Sequence, residues 1–166
     1  MTKGIVIAGF AGIGKSTLSE KYENIINLDS VFFKFKNVDG LSEEEIKNIE
    51  IKEEIPNWEA NYMEEILKKR NQYDIVLVPS QPRLLPWYEK YEIEYILCYP
   101  HKDYINEYFK RYEERGNNEY FINKMRNGYQ KEYEIWKQKE VLKFILEENE
   151  YLEDYLLKNN YELKKR

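Results

Sequence analysis

Three glycines, a lysine and a serine stand close together near the start of the sequence. Gly9, Gly12, Gly14, Lys15 and Ser16 fit the pattern G-x-x-x-x-G-K-[ST] without a gap. Glycine tolerates positive φ angles and has no Cβ, so the amide groups of such a loop can turn towards one anion. An ammonium group and a hydroxyl at its end suit a polyphosphate and its Mg²⁺ ion. The spacing therefore predicts a loop that binds a nucleoside triphosphate.

The segments on either side of the loop fit this interpretation. The apolar run Ile5–Ala8 predicts a buried strand, and Ser16–Tyr22 predicts a helix whose positive end faces the phosphates. The alternative, a plain glycine turn between strand and helix, does not account for the Lys-Ser pair. ATP and Mg²⁺ are the expected cofactors, with Lys15 reaching the β- and γ-phosphates and Ser16 binding the metal. The predicted nucleotide-binding residues are Gly9, Ala11, Gly12, Ile13, Gly14, Lys15, Ser16 and Thr17.

An acidic side chain follows the second predicted strand. The apolar run Ile25–Leu28 ends at Asp29, and ligands of parallel α/β sheets gather at the carboxyl ends of the strands. Asp29 is therefore a candidate Mg²⁺ ligand, or a base that takes the proton from an acceptor hydroxyl. The alternative is a structural aspartate in a turn or at a helix N-cap. By contrast, Glu43–Glu45 is interpreted as a solvated run of charge.

Composition limits the class of protein. The 166 residues, 42% of them hydrophobic, indicate a single domain spanning 1–166. No apolar run approaches the roughly 20 residues of a membrane span, and a net charge of −5 argues against nucleic acid as a partner. A lone cysteine, Cys98, and a first strand too short for a signal-peptide core favour a cytoplasmic location. The sequence does not determine the oligomeric state.

Strand-like and helix-like segments alternate along the chain. This alternation predicts a three-layer α/β/α fold with a five-stranded parallel sheet covered on both faces. The remaining strands are predicted at Ile75–Pro79, Ile93–Pro100 and Val141–Leu146, and further helices at Leu41–Ile55, Asn57–Tyr73, Asp103–Gly116 and Glu119–Trp136.

Four short stretches occur in an order known from one group of enzymes. The sequences GFAGIGKST, NLDS, VPSQPR and RYEERGN resemble those of small P-loop kinases of the nucleoside monophosphate kinase group. Within that group the chain is most similar to short kinase-like proteins of phages and their hosts. The resemblance implies a P-loop NTPase fold with a helical acceptor-binding insertion at about 30–72 and a helical lid at about 102–128.

The resemblance also assigns roles to arginines. Arg83, after the third strand, would bind the phosphate of the acceptor, and Arg126 is a further candidate for substrate binding. Arg111 and Arg115 would belong to the lid and neutralise the transferred phosphoryl group. Their i, i+4 spacing places both on one helix face. The alternative is a solvated helix face on which they pair with nearby glutamates.

The expected activity is transfer of the γ-phosphoryl group of ATP to a small molecule. The leading acceptor is a nucleoside or deoxynucleoside monophosphate. A departure from the group's pattern, Pro79-Ser80-Gln81 in place of an Asp-Gly pair, leaves the acceptor open. The alternative acceptor is a hydroxyl on a small molecule or a polynucleotide end, with Asp29 as the base. A third hypothesis is a non-catalytic switch, which binds ATP and changes conformation to act on a protein partner.

Overall fold

Five short strands form one parallel sheet in the computed structural model, which describes residues 3–166. The strands lie side by side in the order β2-β3-β1-β4-β5, which confirms the predicted five-stranded parallel sheet. They are β1 (Ile5–Gly9), β2 (Ile25–Asn27), β3 (Ile75–Pro79), β4 (Ile96–Pro100) and β5 (Lys143–Leu146). Because parallel neighbours need a crossover connection, helices link the strands and cover both faces of the sheet.

The helices account for most of the remaining chain. They are α1 (Lys15–Lys21), α2 (Val31–Lys34), α3 (Glu43–Lys47), α4 (Trp58–Lys69), α5 (Leu85–Lys90), α6 (Ile105–Glu114), α7 (Glu119–Gln138) and α8 (Leu152–Lys158), with a short 3₁₀ helix at Lys102–Tyr104. Within residues 3–166, none of them is both long enough and apolar enough to cross a membrane.

β1 and β3 end level with each other, whereas β4 runs two residues further. Gly9 at the end of β1 pairs in register with Pro79 of β3 on one side and Cys98 of β4 on the other. Every residue of β3 is buried, as expected for a strand covered on both faces. The loops that follow β1, β3 and β4 therefore leave the sheet at the same edge, where ligands of this class of fold gather.

The prediction of a helix over Leu41–Ile55 is wrong beyond Lys47. Its capping box is present, since the amide of Glu45 donates to Ser42 Oγ at 3.1 Å, but α3 ends after Lys47. The chain beyond it runs extended and pairs with the segment after α2, where the Ile55 amide donates to the Lys34 carbonyl at 2.8 Å. Backbone pairing between distant segments overrides the helical spacing of the isoleucines.

A buried tryptophan joins the longest helix to the edge of the sheet at which β1 and β3 end. Trp136 of α7 is fully buried, and its indole N–H donates to the carbonyl of Ser80 at 2.6 Å. Its ring lies 5.4 Å from that of Phe10 in the loop after β1 and 5.1 Å from that of Tyr99 in β4. One side chain thus packs against segments that follow β1 and β3 and against β4 itself.

Replacement of Trp136 by phenylalanine tests this packing. We expect the free energy of unfolding to fall by about 2–3 kcal/mol, because the Ser80 carbonyl loses its donor and a cavity forms. Urea unfolding at neutral pH measures the change. Leu142→Ala, at a side chain that is 62% exposed, is the control and should alter the value by less than about 0.5 kcal/mol. Equal effects of the two substitutions would contradict the role given to Trp136.

Candidate active site

The glycine-rich loop joins β1 to α1 in a conformation that requires glycine. Gly12 and Gly14 have φ angles of 94° and 96°, in the left-handed region that residues with a Cβ rarely adopt. A Cβ on Gly12 would also meet the rings of Tyr112 and Tyr108 at 3.0 and 3.2 Å. Both the backbone angles and the close approach of the aromatic rings therefore explain the glycines of the motif.

Helix α6 is tied directly to the backbone of this loop. The Tyr112 hydroxyl donates to the Ala11 carbonyl at 2.6 Å, and Arg111 Nη1 donates to the Gly12 carbonyl at 2.9 Å. The Arg111 guanidinium also lies 4.3 Å from the ring centroid of Tyr108 and 3.8 Å from that of Tyr151. The predicted lid helix thus contacts the loop, and Arg111 is held by backbone and aromatic rings as well as by a 3.8 Å ion pair with Glu107.

A cavity of about 400 Å³, called here the loop cavity, opens beside the loop. It collects the predicted Lys15, Ser16, Thr17, Arg111 and Arg115 in one place. Its other lining residues are Ala11, Gly12, Gly14, Glu43, Glu44, Lys47, Glu114 and Tyr151. Positive side chains and loop backbone around a space of this size suit the phosphates of a nucleotide.

Arg115 offers an unpaired hydrogen-bond donor in the lining of the loop cavity. Its Nε donates to Asn117 Oδ1, whereas its buried Nη2 has no hydrogen-bond partner among residues 3–166. Its guanidinium lies 4.9 Å from the ring centroid of Tyr112. A buried guanidinium N–H without a partner costs free energy, and an anionic ligand in the loop cavity is a partner that would remove this cost.

A second cavity of about 400 Å³, called here the basic cavity, lies on the other side of Lys15. Ala11, Lys15 and Lys47 line both cavities, so the two meet at these side chains. The cations lining the basic cavity are Lys15, Lys34, Lys47, Lys52, Arg83, Lys124 and Lys131, and the acids are Asp29 and Glu132. In a chain with a net charge of −5, this local excess of positive charge indicates an anionic ligand.

Lys15 lies where the two cavities meet. Its Nζ donates to the Gly9 carbonyl at 2.7 Å. Burial lowers the pKa of Lys15 to about 8, with Asp29 opposing the shift and Lys47 adding to it. The ammonium group is therefore still mostly charged at neutral pH but poorly solvated, and a phosphate beside it would restore the lost stabilisation.

Asp29 is a buried carboxylate at the edge of the basic cavity. It is 7% exposed, its Oδ1 accepts from the Val31 amide at 3.0 Å, and its Oδ2 lies 3.6 Å from Lys47 Nζ. Burial alone would raise the pKa of Asp29, but Lys47, a hydrogen bond with Glu43 and Lys15 outweigh it and lower the pKa to about 2. The side chain thus makes a structural turn contact and is also an ionised group facing the cavity.

Glu43 belongs to the site, although the sequence suggested only a solvated charge run. Its side chain is 14% exposed and forms an ion pair with Lys47, and Ser16 Oγ donates to its Oε2 at 3.4 Å. Burial and the nearby Asp29 raise the pKa of Glu43. Only the Glu43–Lys47 spacing of one helical turn hinted at this pair; no local pattern indicates that α3 reaches the loop.

The oxygen atoms around Ser16 suit part of the coordination shell of a magnesium ion, with phosphate oxygens as the other ligands. Within residues 3–166, no group of three or more His, Cys, Asp and Glu side chains is placed to hold a metal by itself. Mg²⁺ usually takes only one or two carboxylates, together with phosphates and water. Ser16 and Glu43 supply a hydroxyl and a carboxylate, and Asn27, which donates to Ser16 Oγ at 3.4 Å, has a buried Oδ1 that lacks a partner in the described chain.

The other two predicted arginines are engaged elsewhere. Arg83 lines the basic cavity but forms a bidentate pair with Glu54 at 2.6 and 2.9 Å and lies 3.6 Å from Glu59. Arg126 donates to Asn123 at 2.8 Å and lines neither cavity. The structure therefore places Arg83 at the predicted location with its charge compensated, and it does not bring Arg126 to the site.

Comparison with known proteins identifies the fold. No protein-family model matches the sequence, and no relative is found among curated proteins. The tunicamycin resistance protein of Deinococcus radiodurans has a similar solved structure: 99% of this chain aligns with 100% of that chain at a TM-score of 0.55 and 13% identity. The two proteins share a fold. The likeness supports the three-layer P-loop-like architecture, and at this identity it does not extend to the substrate.

Glu132 of α7 gives the basic cavity a group that titrates near neutral pH. Burial raises the pKa of Glu132 to about 7, with Lys124 opposing the shift. A carboxyl group whose pKa is raised in the folded state binds its proton more tightly there than in the unfolded chain. Its contribution to stability is therefore complete below pH about 4.5 and is lost as the pH rises through about 7.

Glu132→Gln should abolish this pH dependence. At pH 8 we expect the variant to be more stable than the wild type by at most about 3 kcal/mol, the limit set by a shift of this size. At pH 4.5 the two proteins should differ little, because glutamine resembles the protonated acid. Urea unfolding at both pH values measures the difference, with exposed Glu148→Gln as the control. A Glu132→Gln effect that is the same at both pH values would rule out the raised pKa.

Proposed function

We propose that this protein transfers the γ-phosphoryl group of ATP to a hydroxyl group of a small molecule, with Asp29 as the general base. One observation carries the proposal: the ionised, buried carboxylate of Asp29 faces a cavity that meets the phosphate-binding loop at Lys15. A nucleotide in the loop cavity and an acceptor in the basic cavity would face each other across this lysine.

The loop cavity supplies the groups that bind the donor. The loop amides and Lys15 would hold the β- and γ-phosphates of ATP, and Arg115 would direct its free N–H groups at them. Ser16 and Glu43 would hold Mg²⁺, which neutralises phosphate charge when it is bound. Tyr112 and Arg111 keep the loop backbone in place through its carbonyl groups.

The transfer step divides between Asp29 and the cations. Asp29 accepts the proton of the acceptor hydroxyl while the acceptor oxygen bonds to the γ-phosphorus and the bond to the leaving ADP breaks. Lys15 and Arg115 compensate the negative charge on the transferred group and on the leaving oxygen. Lys47, paired with Asp29, keeps the carboxylate ionised. With so low a pKa it is a weak base, so it orients the hydroxyl and takes the proton only as the acceptor oxygen bonds to the phosphorus.

Two features favour a hydroxyl over a phosphate as the acceptor. Arg83, which would bind an acceptor phosphate in a monophosphate kinase, is already compensated by Glu54 and Glu59. A phosphate acceptor is ionised without help and does not need a base, and the charge of Asp29 would repel it.

Transfer to a nucleoside monophosphate is the second candidate, and the seven cations of the basic cavity favour it. The two reactions differ in their products. A hydroxyl acceptor gives a phosphate ester, which survives mild acid, whereas a monophosphate acceptor gives an acid-labile anhydride.

Lys15→Ala should reduce acceptor-stimulated ADP release at least about 100-fold, because the transition state loses an ammonium group in a poorly solvated site. The assay uses a panel of alcohols, sugars, nucleosides and monophosphates, with products identified by mass spectrometry. Lys68→Ala, at an exposed position of α4, should retain the wild-type rate. Wild-type turnover in the Lys15 variant would exclude the proposed site. Tight ATP binding without any stimulated turnover would favour the switch.

Asp29→Asn separates the two acceptors. Loss of a general base should slow ester formation roughly 10²–10⁴-fold. Because Asp29 also favours the charged form of Lys15, the ATP affinity of the variant is measured separately and the comparison uses kcat at saturating ATP. Urea unfolding checks that the variant folds, and Asp39→Asn, at an exposed position, is the control and should retain the wild-type rate. An acid-labile product whose rate does not depend on Asp29 would replace this proposal with the monophosphate kinase.

A further inference from the structure

The basic cavity contains three lysines, Lys34, Lys52 and Lys124, called here the lysine cluster. Lys34 and Lys52 approach the same aromatic ring, with their Nζ atoms 4.9 and 4.7 Å from the ring centroid of Phe35. Lys34 ends α2, and Lys52 lies in the extended segment that pairs with the chain after α2. Two separate segments therefore bring their ammonium groups to one wall of the cavity.

No cation of the lysine cluster forms a close ion pair. Among residues 3–166, none of its three ammonium groups lies within 4.0 Å of a carboxylate; Lys52 donates instead to the Ile46 carbonyl at 3.2 Å. Elsewhere in the same cavity, Lys47 pairs with Asp29 and Glu43, and Arg83 pairs with Glu54. Glu54, Glu59 and Glu132 act on the cluster only from a longer range, so its positive charge is only partly compensated within the described chain.

Holding these lysines together costs free energy. Burial lowers the pKa of Lys52 to about 8, and repulsion from Lys124, Lys34 and Lys47 adds to the shift. Burial likewise lowers the pKa of Lys34, with Arg83 and Lys124 among the causes. Proteins retain such unfavourable like-charge groupings at sites where a ligand supplies the missing charge.

The charge and position of the cluster indicate the ligand class. A carboxylate would compensate only one of three cations, whereas a phosphate dianion compensates two, and lysine binds phosphate as a point charge. Asp29 lies just before α2 and Lys34 ends it, and both side chains line the same cavity. A phosphorylated alcohol or sugar, with a hydroxyl at one end and a phosphate at the other, would pair with both groups at once.

We propose that the hydroxyl acceptor carries a phosphate of its own, which Lys34, Lys52 and Lys124 bind while the hydroxyl faces Asp29. This inference rests on the proposed function. The acceptor hydroxyl gives its proton to Asp29 and its oxygen bonds to the γ-phosphorus as ADP leaves, so the product carries two phosphate esters.

Calorimetric titration with inorganic phosphate tests the cluster without any turnover. Saturating Mg²⁺ and a non-hydrolysable ATP analogue are kept present so that the β- and γ-phosphate positions of the loop cavity are already filled. We expect one phosphate per wild-type chain and a loss of affinity of at least about fivefold in Lys34→Gln and in Lys52→Gln, because each removes a charged partner. Lys68→Gln is the control and should bind as the wild type does. Equal affinities in all four proteins would overturn the inference.

Thermal unfolding without phosphate separates a binding site from a structural one. Lys52→Gln should melt no lower than the wild type, because removal of an uncompensated cation relieves repulsion, and phosphate should stabilise it less. A variant that melts well below the wild type and is still stabilised equally by phosphate would give the lysine a structural role and overturn the inference.

Matched acceptors test the same point in catalysis. Glycerol is compared with glycerol 3-phosphate, and ribose with ribose 5-phosphate. The phosphorylated member should have the higher kcat/KM, by at least about 100-fold, and Lys52→Gln should reduce this preference mainly through KM. Equal use of both members would overturn the inference while leaving hydroxyl transfer intact. Lysine-dependent phosphate binding without transfer to any acceptor would instead support the subsite and defeat the proposed function.

Discussion

The arrangement of charge around Lys15 is the constraint on which the site depends. Its ammonium group is mostly removed from water, so its stability relies on the Gly9 carbonyl and on the carboxylate of Asp29 across the cavity. The lysine follows the glycine loop of β1, and Asp29 follows β2, two strands away in the sheet. Only β3 lies between these two strands, so the sheet holds the segments that carry the two groups at the same edge.

The helical segments outside the sheet differ in how firmly they are attached. Helix α6 is bonded to the loop backbone, and α7 is anchored through Trp136 to the segments after β1 and β3. The segment around α2 and α3 has a small apolar cluster of its own, formed by Val31, Phe35, Val38 and Ile46. This cluster lies beside the lysines of the basic cavity, so the proposed acceptor subsite would rest on an apolar cluster separate from the main core.

The sequence predicted the parts of the molecule that local patterns encode. The five apolar runs were sufficient for the sheet, because the central strands are almost fully buried and the edge strands β2 and β5 are partly buried. The glycine spacing was sufficient for the loop. The role of Glu43 was missed because Ser16 meets it through tertiary packing of α3, and the length of that helix was overestimated for the same reason. Likewise, nothing local to Arg83 reveals that Glu54 and Glu59 reach it.

The two hydrogen bonds from α6 to the carbonyl groups of Ala11 and Gly12 have a thermodynamic consequence. Because α6 is already docked, it lost its conformational entropy during folding. A nucleotide that binds therefore does not have to order this helix. Recognition of the donor would then be that of a preformed receptor, with a small change in heat capacity and fast association. In this respect the proposed donor site would differ from one that a lid closes only after the nucleotide has bound.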